Sequence, residues 1–272
     1  MPTGTPHLVI LADLLGQHAV AAYLLALGCA MLAAGLFSYR LQRSRRRSSL
    51  APRDAEPNPR RFIAGFAAGF VLILAASGLF AFIAAHVTQG RTLGLADQAL
   101  ADAIAAHVPL STLQIFGWLT HLGDAEFLIP VALAVAALLW RHAHRGLALG
   151  WLLTLAGNLA LNPLLKRIFE RARPVHDHGL AYETSFSFPS GHSSGAIVSY
   201  GLLLYVVLRT LPQRWHLPAA IGCAAAIVTI ACSRILLQVH FASDVVAGLL
   251  SGFVWLAVCV SSLEYARHRG RR

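Results

Sequence analysis

Residues 188–208 read Phe-Pro-Ser-Gly-His-Ser-Ser-Gly-Ala-Ile-Val-Ser-Tyr-Gly-Leu-Leu-Leu-Tyr-Val-Val-Leu. From Ala196 onward this is hydrocarbon-facing helix; before it stand a proline, a serine, a glycine and a titratable histidine. Pro189 fixes the entry, Ser190 is suited to cap the helix, and Gly191 lets backbone N–H groups approach a ligand closely. A helix that starts there presents unpaired N–H groups and the positive end of its dipole, a seat for an anion. A plain cap with an interfacial histidine would carry the same letters, so the rest of the chain has to decide between the two.

The composition decides the solvent. Of 272 residues 57% are hydrophobic and only 12% charged, against about 25% charged in a soluble domain. Mean hydropathy is +0.62. The apolar residues fall into seven blocks, about 17–38, 62–86, 113–140, 147–165, 192–208, 218–237 and 244–263. Each is near the roughly 20 residues that cross a ~30 Å hydrocarbon core. An all-α integral membrane protein is expected.

A net charge of +10 does not point to nucleic acid, because the basic residues sit between the apolar blocks rather than on one face. With strict alternation, Arg40–Arg61, 141–145, 209–218 and the tail from Glu264 share one side, and they hold 16 of the 22 Lys and Arg residues. The bias of cationic loops makes that side cytoplasmic. The first block has its arginines after it and none before, which favours a retained helix over a cleaved leader. Cys29, Cys223, Cys232 and Cys259 all lie in apolar blocks without metal-ligand spacing, as small buried hydrophobes do.

The outer side keeps Arg91, Lys166, Arg167, Arg171, Arg173 and Arg234, and Lys166 is the chain's only lysine. Between the second and third blocks, 87–112 is too polar to span. Its apolar residues Leu95, Leu100, Ile104 and Val108 recur at helical spacing, with Asp97 and Asp102 on other faces. An amphipathic helix lying on the outer surface is expected.

Three polar clusters lie on that outer side. In "KRIFERARP" Lys166 and Arg173 stand seven residues apart, nearly two helical turns, so a helix would project both cations from one face until Pro174 closes it. Glu170 offers an ordinary ion pair with Lys166 instead. The second cluster is Pro189-Ser190-Gly191-His192. In "SRILLQVHFASD" Ser233 and Arg234 precede His240 and Asp244, whose spacing of four stacks them on one helix face. The carboxylate then takes one imidazole nitrogen and leaves the other as an attacking lone pair. Cations and helix N–H groups to neutralise phosphate oxygens, one histidine to attack and one to protonate: this is the inventory of metal-free phosphoryl transfer.

Lys166-x6-Arg173-Pro174, Pro189-Ser190-Gly191-His192 and Ser233-Arg234-x5-His240-x3-Asp244 resemble the three motifs of the type-2 phosphatidate phosphatase superfamily, which includes bacterial lipid phosphatases, glucose-6-phosphatase and vanadium haloperoxidases. The resemblance covers about 62–263. It implies a six-helix phosphatase core in 62–272, and an extra N-terminal transmembrane helix with a basic loop in 1–61. It implies His240 as nucleophile, Asp244 as its orienting carboxylate, and His192 as general acid and then base. Lys166, Arg173 and Arg234, with Ser190 and the Gly191 backbone, would clamp the phosphate. No metal or other cofactor is implied. Gln238-Val239 departs from relatives, which often carry glycine before the histidine, and an effect on packing or pocket shape is expected.

The expected activity is hydrolysis of a lipid phosphate or diphosphate at the outer face of a bacterial inner membrane. Undecaprenyl diphosphate, phosphatidylglycerol phosphate and phosphatidic acid are the candidates the family implies; the partners are that substrate and the surrounding lipids. Transfer of the phosphoryl group to another lipid hydroxyl is the alternative within the fold, and a transporter the alternative outside it. His176–His178 and Glu183 read as a polar loop gating entry, His121–Asp124 as a helix end terminated through Gly123, and Asn158 and Asn162 as interhelical hydrogen-bonders.

Overall fold

The computed structural model describes residues 6–49, 59–87, 91–176 and 178–269. They form α1 (His7–Gln17), α2 (Ala19–Ser49), α3 (Pro59–His86), α4 (Thr92–His107), α5 (Leu110–Leu119), a 3-10 turn (Thr120–Gly123) and α6 (Ala125–Arg141). Then come α7 (Arg145–Phe169), α8 (Gly191–Thr210), a 3-10 turn (Gln213–Trp215), α9 (His216–Leu236) and α10 (Ala242–Arg269). Among the described residues, seven spans have the length and apolar composition to cross a membrane, α5 and α6 counting as one broken span. The chain is an all-α, multi-pass membrane protein.

α8 is the centre. It packs on α7, α9 and α10; α3 lies against α10 and α6 against α7. The approach of α8 to α10 is close because Gly248 and Gly252 carry no side chain: a Cβ would stand 2.4 Å from the Ser190 carbonyl oxygen at the first and 2.8 Å from that of Ser194 at the second. Small residues do this between membrane helices, where backbones attract by contact rather than by expelling water. Trp151 ties α7 to α6 through the Ala132 carbonyl at 2.9 Å, and Trp255 ties α10 to α7 through that of Thr154 at 2.8 Å.

Three sequence expectations change. The first apolar block is preceded by a separate helix, α1, which packs along α4. α2 leans on α9, with the Tyr23 and Thr229 hydroxyls 3.0 Å apart. The amphipathic 87–112 segment is helical over Thr92–His107, but it is not merely laid on the surface: Asp97 is buried, bonded to the N-terminus of α10. The 113–140 block is two helices, not one, broken at Thr120–Gly123. Of the basic stretches expected to face the cytoplasm, 40–49 continue α2, 59–61 begin α3 and 264–269 end α10, while 50–58 and 270–272 lie outside the described residues.

Candidate active site

All three clusters lie at one end of the bundle, and the loop between α7 and α8 gathers them. α7 ends at Phe169, where Glu170 takes a left-handed φ of +45°. The helix therefore stops four residues short of Arg173, and Lys166 and Arg173 do not share a helix face as expected. They meet through the loop instead. Lys166 Nζ donates to Ser185 Oγ at 2.8 Å, and Arg173 Nη2 donates to the same oxygen at 3.2 Å. Glu170 is exposed and makes no ion pair with Lys166 among the described contacts.

Arg173 is held as a fork. Nε donates to the Ser185 carbonyl at 2.7 Å, Nη2 to that of Phe186 at 3.2 Å, and Nη1 to that of Val239 at 2.5 Å. Nη1 also lies 3.1 Å from His240 Nε2. Because a guanidinium only donates, that nitrogen of His240 carries a lone pair, and the proton is on Nδ1. Burial, helped by the Arg173 charge and opposed by Asp244, drives the imidazole from its ordinary 6.5 down to about 3. His240 is neutral across any physiological pH.

His240 and Asp244 were expected on one helix. His240 instead occupies the turn between α9 and α10, with Gln238 before it at φ +52°. That is the backbone region glycine adopts without strain, which explains why glycine suits this turn. Asp244, in the first turn of α10, accepts from the Phe241 N–H at 2.9 Å. His240 Nδ1 is 3.7 Å from Asp244 Oδ2, beyond a hydrogen bond, and Ser187 stands between them. Its hydroxyl donates to Oδ2 at 2.5 Å and lies 3.4 Å from Nδ1.

The segment before α8 is anchored from below. Phe188 is fully buried against Phe80 and Phe169, with ring centroids 5.6 and 5.0 Å away. The Phe188–Pro189 bond is cis. The Ser190 N–H donates to the Asp244 carbonyl at 2.9 Å, and its buried hydroxyl accepts from the Ser193 N–H at 3.4 Å and Ser193 Oγ at 2.9 Å, capping α8. Gly191 faces Asn162, whose Oδ1 would meet a Cβ there at 2.9 Å.

His192 and Arg234 complete the ring. His192 Nε2 donates to Asp124 Oδ1 at 2.6 Å, so Nδ1 is the nitrogen turned inward, 3.8 Å from Glu183 Oε1. Arg234, buried, donates from Nη1 to Thr120 Oγ1 at 2.9 Å and from Nη2 to Glu183 Oε1 at 2.5 Å, and its Nε has no hydrogen-bond partner. Glu183 Oε2 lies 3.7 Å from Arg173 Nη2. Burial alone would raise this carboxyl; the charges of Arg234, His192 and Arg173 outweigh it and hold Glu183 below its ordinary value. The cations thus already surround an anion, the protein's own carboxylate.

Four contributors were not picked out from the sequence. Glu183, read as solvated loop, sits among the cations. Asp124, read as a helix end, holds His192. Ser187 bridges His240 and Asp244. Arg171 links Asp244 Oδ1 at 2.5 Å and Ser243 Oγ at 2.7 Å to Asp97 Oδ2 at 2.8 Å, where burial raises the Asp97 carboxyl against the pull of Ser243 and Arg171. Only Arg171 had a sequence signal, as a cation on the depleted side. His178 anchors its loop, with Nε2 donating to the Leu237 carbonyl at 2.8 Å.

The PAP2 superfamily profile matches residues 147–268, the stretch that carries all three clusters. Phosphatidylglycerophosphatase B of Bacillus subtilis is 31% identical over 178 residues, covering 65% of this chain and 87% of the relative. The chain belongs to the PAP2 superfamily. Lipid A 1-phosphatase of Rhizobium etli is 31% identical over 188 residues, 60% of this chain and 75% of that protein. The crystal structure of a transmembrane PAP2-type phosphatidylglycerolphosphate phosphatase from Bacillus subtilis superposes with a TM-score of 0.67 at 28% identity, over 71% of this chain and 96% of that one. As a PAP2 protein, this chain is a membrane phosphatase.

Proposed function

We propose that this phosphatase hydrolyses a lipid phosphate or lipid diphosphate, through a phosphohistidine on His240, at the periplasmic face of a bacterial inner membrane. One observation carries the reading: the unprotonated Nε2 of a neutral, buried His240 lies 3.1 Å from Arg173, beside cations that hold a carboxylate. An imidazole lone pair next to an anion seat is what attack on phosphorus requires. The relatives named phosphatidylglycerophosphatase and lipid A phosphatase support a lipid substrate. So does the place of the site at the end of a membrane bundle, where a headgroup would lie with its tail in hydrocarbon.

In this reading the phosphate oxygens take the place of the Glu183 carboxylate among Arg173, Arg234 and Lys166, with Ser190 and the Gly191 backbone at the start of α8 completing the clamp. Arg173 turns from His240 to the substrate. His240 Nε2 bonds to phosphorus as the bond to the leaving oxygen breaks, and His192 gives that oxygen its proton from Nδ1. Water then attacks phosphorus, His192 takes its proton, and the P–N bond electrons return to His240. Asp244, acting through Ser187, steadies the proton on His240 Nδ1. The first span and its basic loop, 1–61, stand outside the six-helix catalytic unit of 62–272. Orientation follows from the cationic loops at the opposite end.

The test is a panel of phosphatidic acid, phosphatidylglycerol phosphate and undecaprenyl diphosphate in detergent with EDTA. Expected are phosphate release equal to lipid consumed and loss of activity in His240→Ala. Full activity in that variant overturns the mechanism; a newly phosphorylated lipid in place of free phosphate makes the enzyme a transferase.

A further inference from the structure

The span formed by α5 and α6 breaks where lipid gives it no reason to. Between Leu119 and Ala125 the helix tightens to the 3-10 turn Thr120–Gly123 and then opens to an extended Asp124 at φ −73°, ψ 152°. Asp124 is the N-cap residue of α6, and aspartate is among the best residues for that position. Yet its side chain makes no capping hydrogen bond. Both oxygens are committed to imidazoles: Oδ1 accepts from His192 Nε2 and Oδ2 from His121 Nδ1, each at 2.6 Å. The cap has been forgone for a side chain on another helix.

The turn itself is clamped by the helices that carry the site. Arg234 of α9 donates to Thr120 Oγ1 at 2.9 Å, and Tyr200 of α8 donates to the Leu122 carbonyl at 2.9 Å. Gly123 is pressed against the histidine: a Cβ there would lie 3.1 Å from His192 Cδ2 and 2.7 Å from Ile230 Cγ2. A break in a span, a cap left unmade and a turn tied to both partner helices all serve one contact.

We propose that Asp124 is the positioning residue of the proton donor, holding His192 by Nε2 so that Nδ1 faces the phosphate and delivers the proton. This rests on the role of His192 proposed above. The charged and titratable groups that face His192 are Asp124 from the start of α6, Glu183 from the loop and Arg234 from α9; His121 faces Asp124 from the turn. A carboxylate on Nε2 favours the imidazolium, the form with a proton to give. Asparagine in its place keeps an acceptor and removes the charge.

The experiment compares wild type, Asp124→Asn, Asp124→Glu, His192→Ala and the Asp124→Asn/His192→Ala double variant, on phosphatidic acid and on p-nitrophenyl phosphate. On phosphatidic acid, whose alkoxide leaves poorly, Asp124→Asn is expected to lose on the order of 10- to 100-fold in kcat with little change in KM. Its alkaline limb is expected to move to lower pH, because an imidazolium without its carboxylate gives up its proton sooner. On p-nitrophenyl phosphate, whose leaving group needs no proton, the loss is expected to be within about threefold. Asp124→Glu restores part of the kcat, and the double variant is no slower than His192→Ala. Equal losses on both substrates, an unmoved alkaline limb, or a further loss on top of His192→Ala overturns the proposal. Thermal melts confirm that each variant is folded; if Asp124→Asn does not fold, Asp124→Glu must show the same leaving-group dependence and shifted limb in milder form, and its absence overturns the proposal equally. Activity in His240→Ala would sink the underlying mechanism, whereas an inactive His240→Ala beside a flat Asp124→Asn profile sinks this inference alone.

Discussion

Two histidines at this site each face an aspartate, and the two pairs are built in opposite ways. His240 is wholly enclosed, its carboxylate stands 3.7 Å off with Ser187 between, and an arginine covers its other nitrogen. His192 keeps 19% of its side-chain surface, bonds directly to its carboxylate at 2.6 Å, and turns its other nitrogen toward a second carboxylate. Burial and a neighbouring cation disfavour the charged imidazole, while a bonded carboxylate favours it. One pair therefore keeps a histidine neutral, with a lone pair on Nε2. The other sets its histidine between two carboxylates with Arg234 nearby, and in the proposed mechanism that histidine gains and loses a proton. In the proposed mechanism the same two residue types serve as nucleophile and acid because their surroundings differ.

The comparison breaks most sharply at the histidines themselves. His240→Ala is expected to lose at least about 10³-fold in kcat on every substrate, whereas His192→Ala should lose heavily on alkyl phosphate monoesters and much less on diphosphates, whose leaving groups need less help. Steady-state rates on both classes check this, and equal losses from the two variants would erase the distinction.

A smaller effect is expected at Ser187. Removing its hydroxyl leaves Asp244 without a bridge to His240. A hydrogen bond to a charged group contributes about 1.5–3 kcal/mol, so Ser187→Ala should lower kcat by about 10- to 100-fold with KM nearly unchanged. Undiminished kcat would mean that His240 and Asp244 close up into a direct pair, and that the two dyads are alike after all.

The smallest effect is on stability. His240 has its pKa near 3 in the folded protein and near 6.5 when unfolded. Between those values the unfolded chain binds the extra proton, so stability is complete above about pH 6.5 and is lost as pH falls toward 3. Melting temperature should fall between pH 7 and pH 4 more steeply in wild type than in His240→Gln. Parallel curves would show that His240 is not held neutral.

Much of this was legible in the chain. Blocks of about twenty apolar residues specify membrane helices because the bilayer has a fixed thickness. Lys166, Arg173, His192, Arg234, His240 and Asp244 stood out because polar side chains beside such blocks are costly unless used. Local geometry misled in two places. Periodicity extended the Lys166 helix to Arg173, but Glu170 turns left-handed and ends it at Phe169. Spacing by four put His240 and Asp244 on one helix, but Gln238 opens a turn between α9 and α10.

The sequence by itself determined the solvent, the spans and the chemical inventory, because hydropathy and short spacings are properties of neighbours along the chain. Only the tertiary structure assigned the partners. Glu183 meets Arg234 across 51 residues, Ser187 meets Asp244 across 57, Asp124 meets His192 across 68, and Asp97 meets Arg171 across 74. No periodicity reaches that far. Which carboxylate neutralises which cation depends on how closely glycine-bearing helices such as α10 let their neighbours approach, and that distance exists only once the bundle has packed.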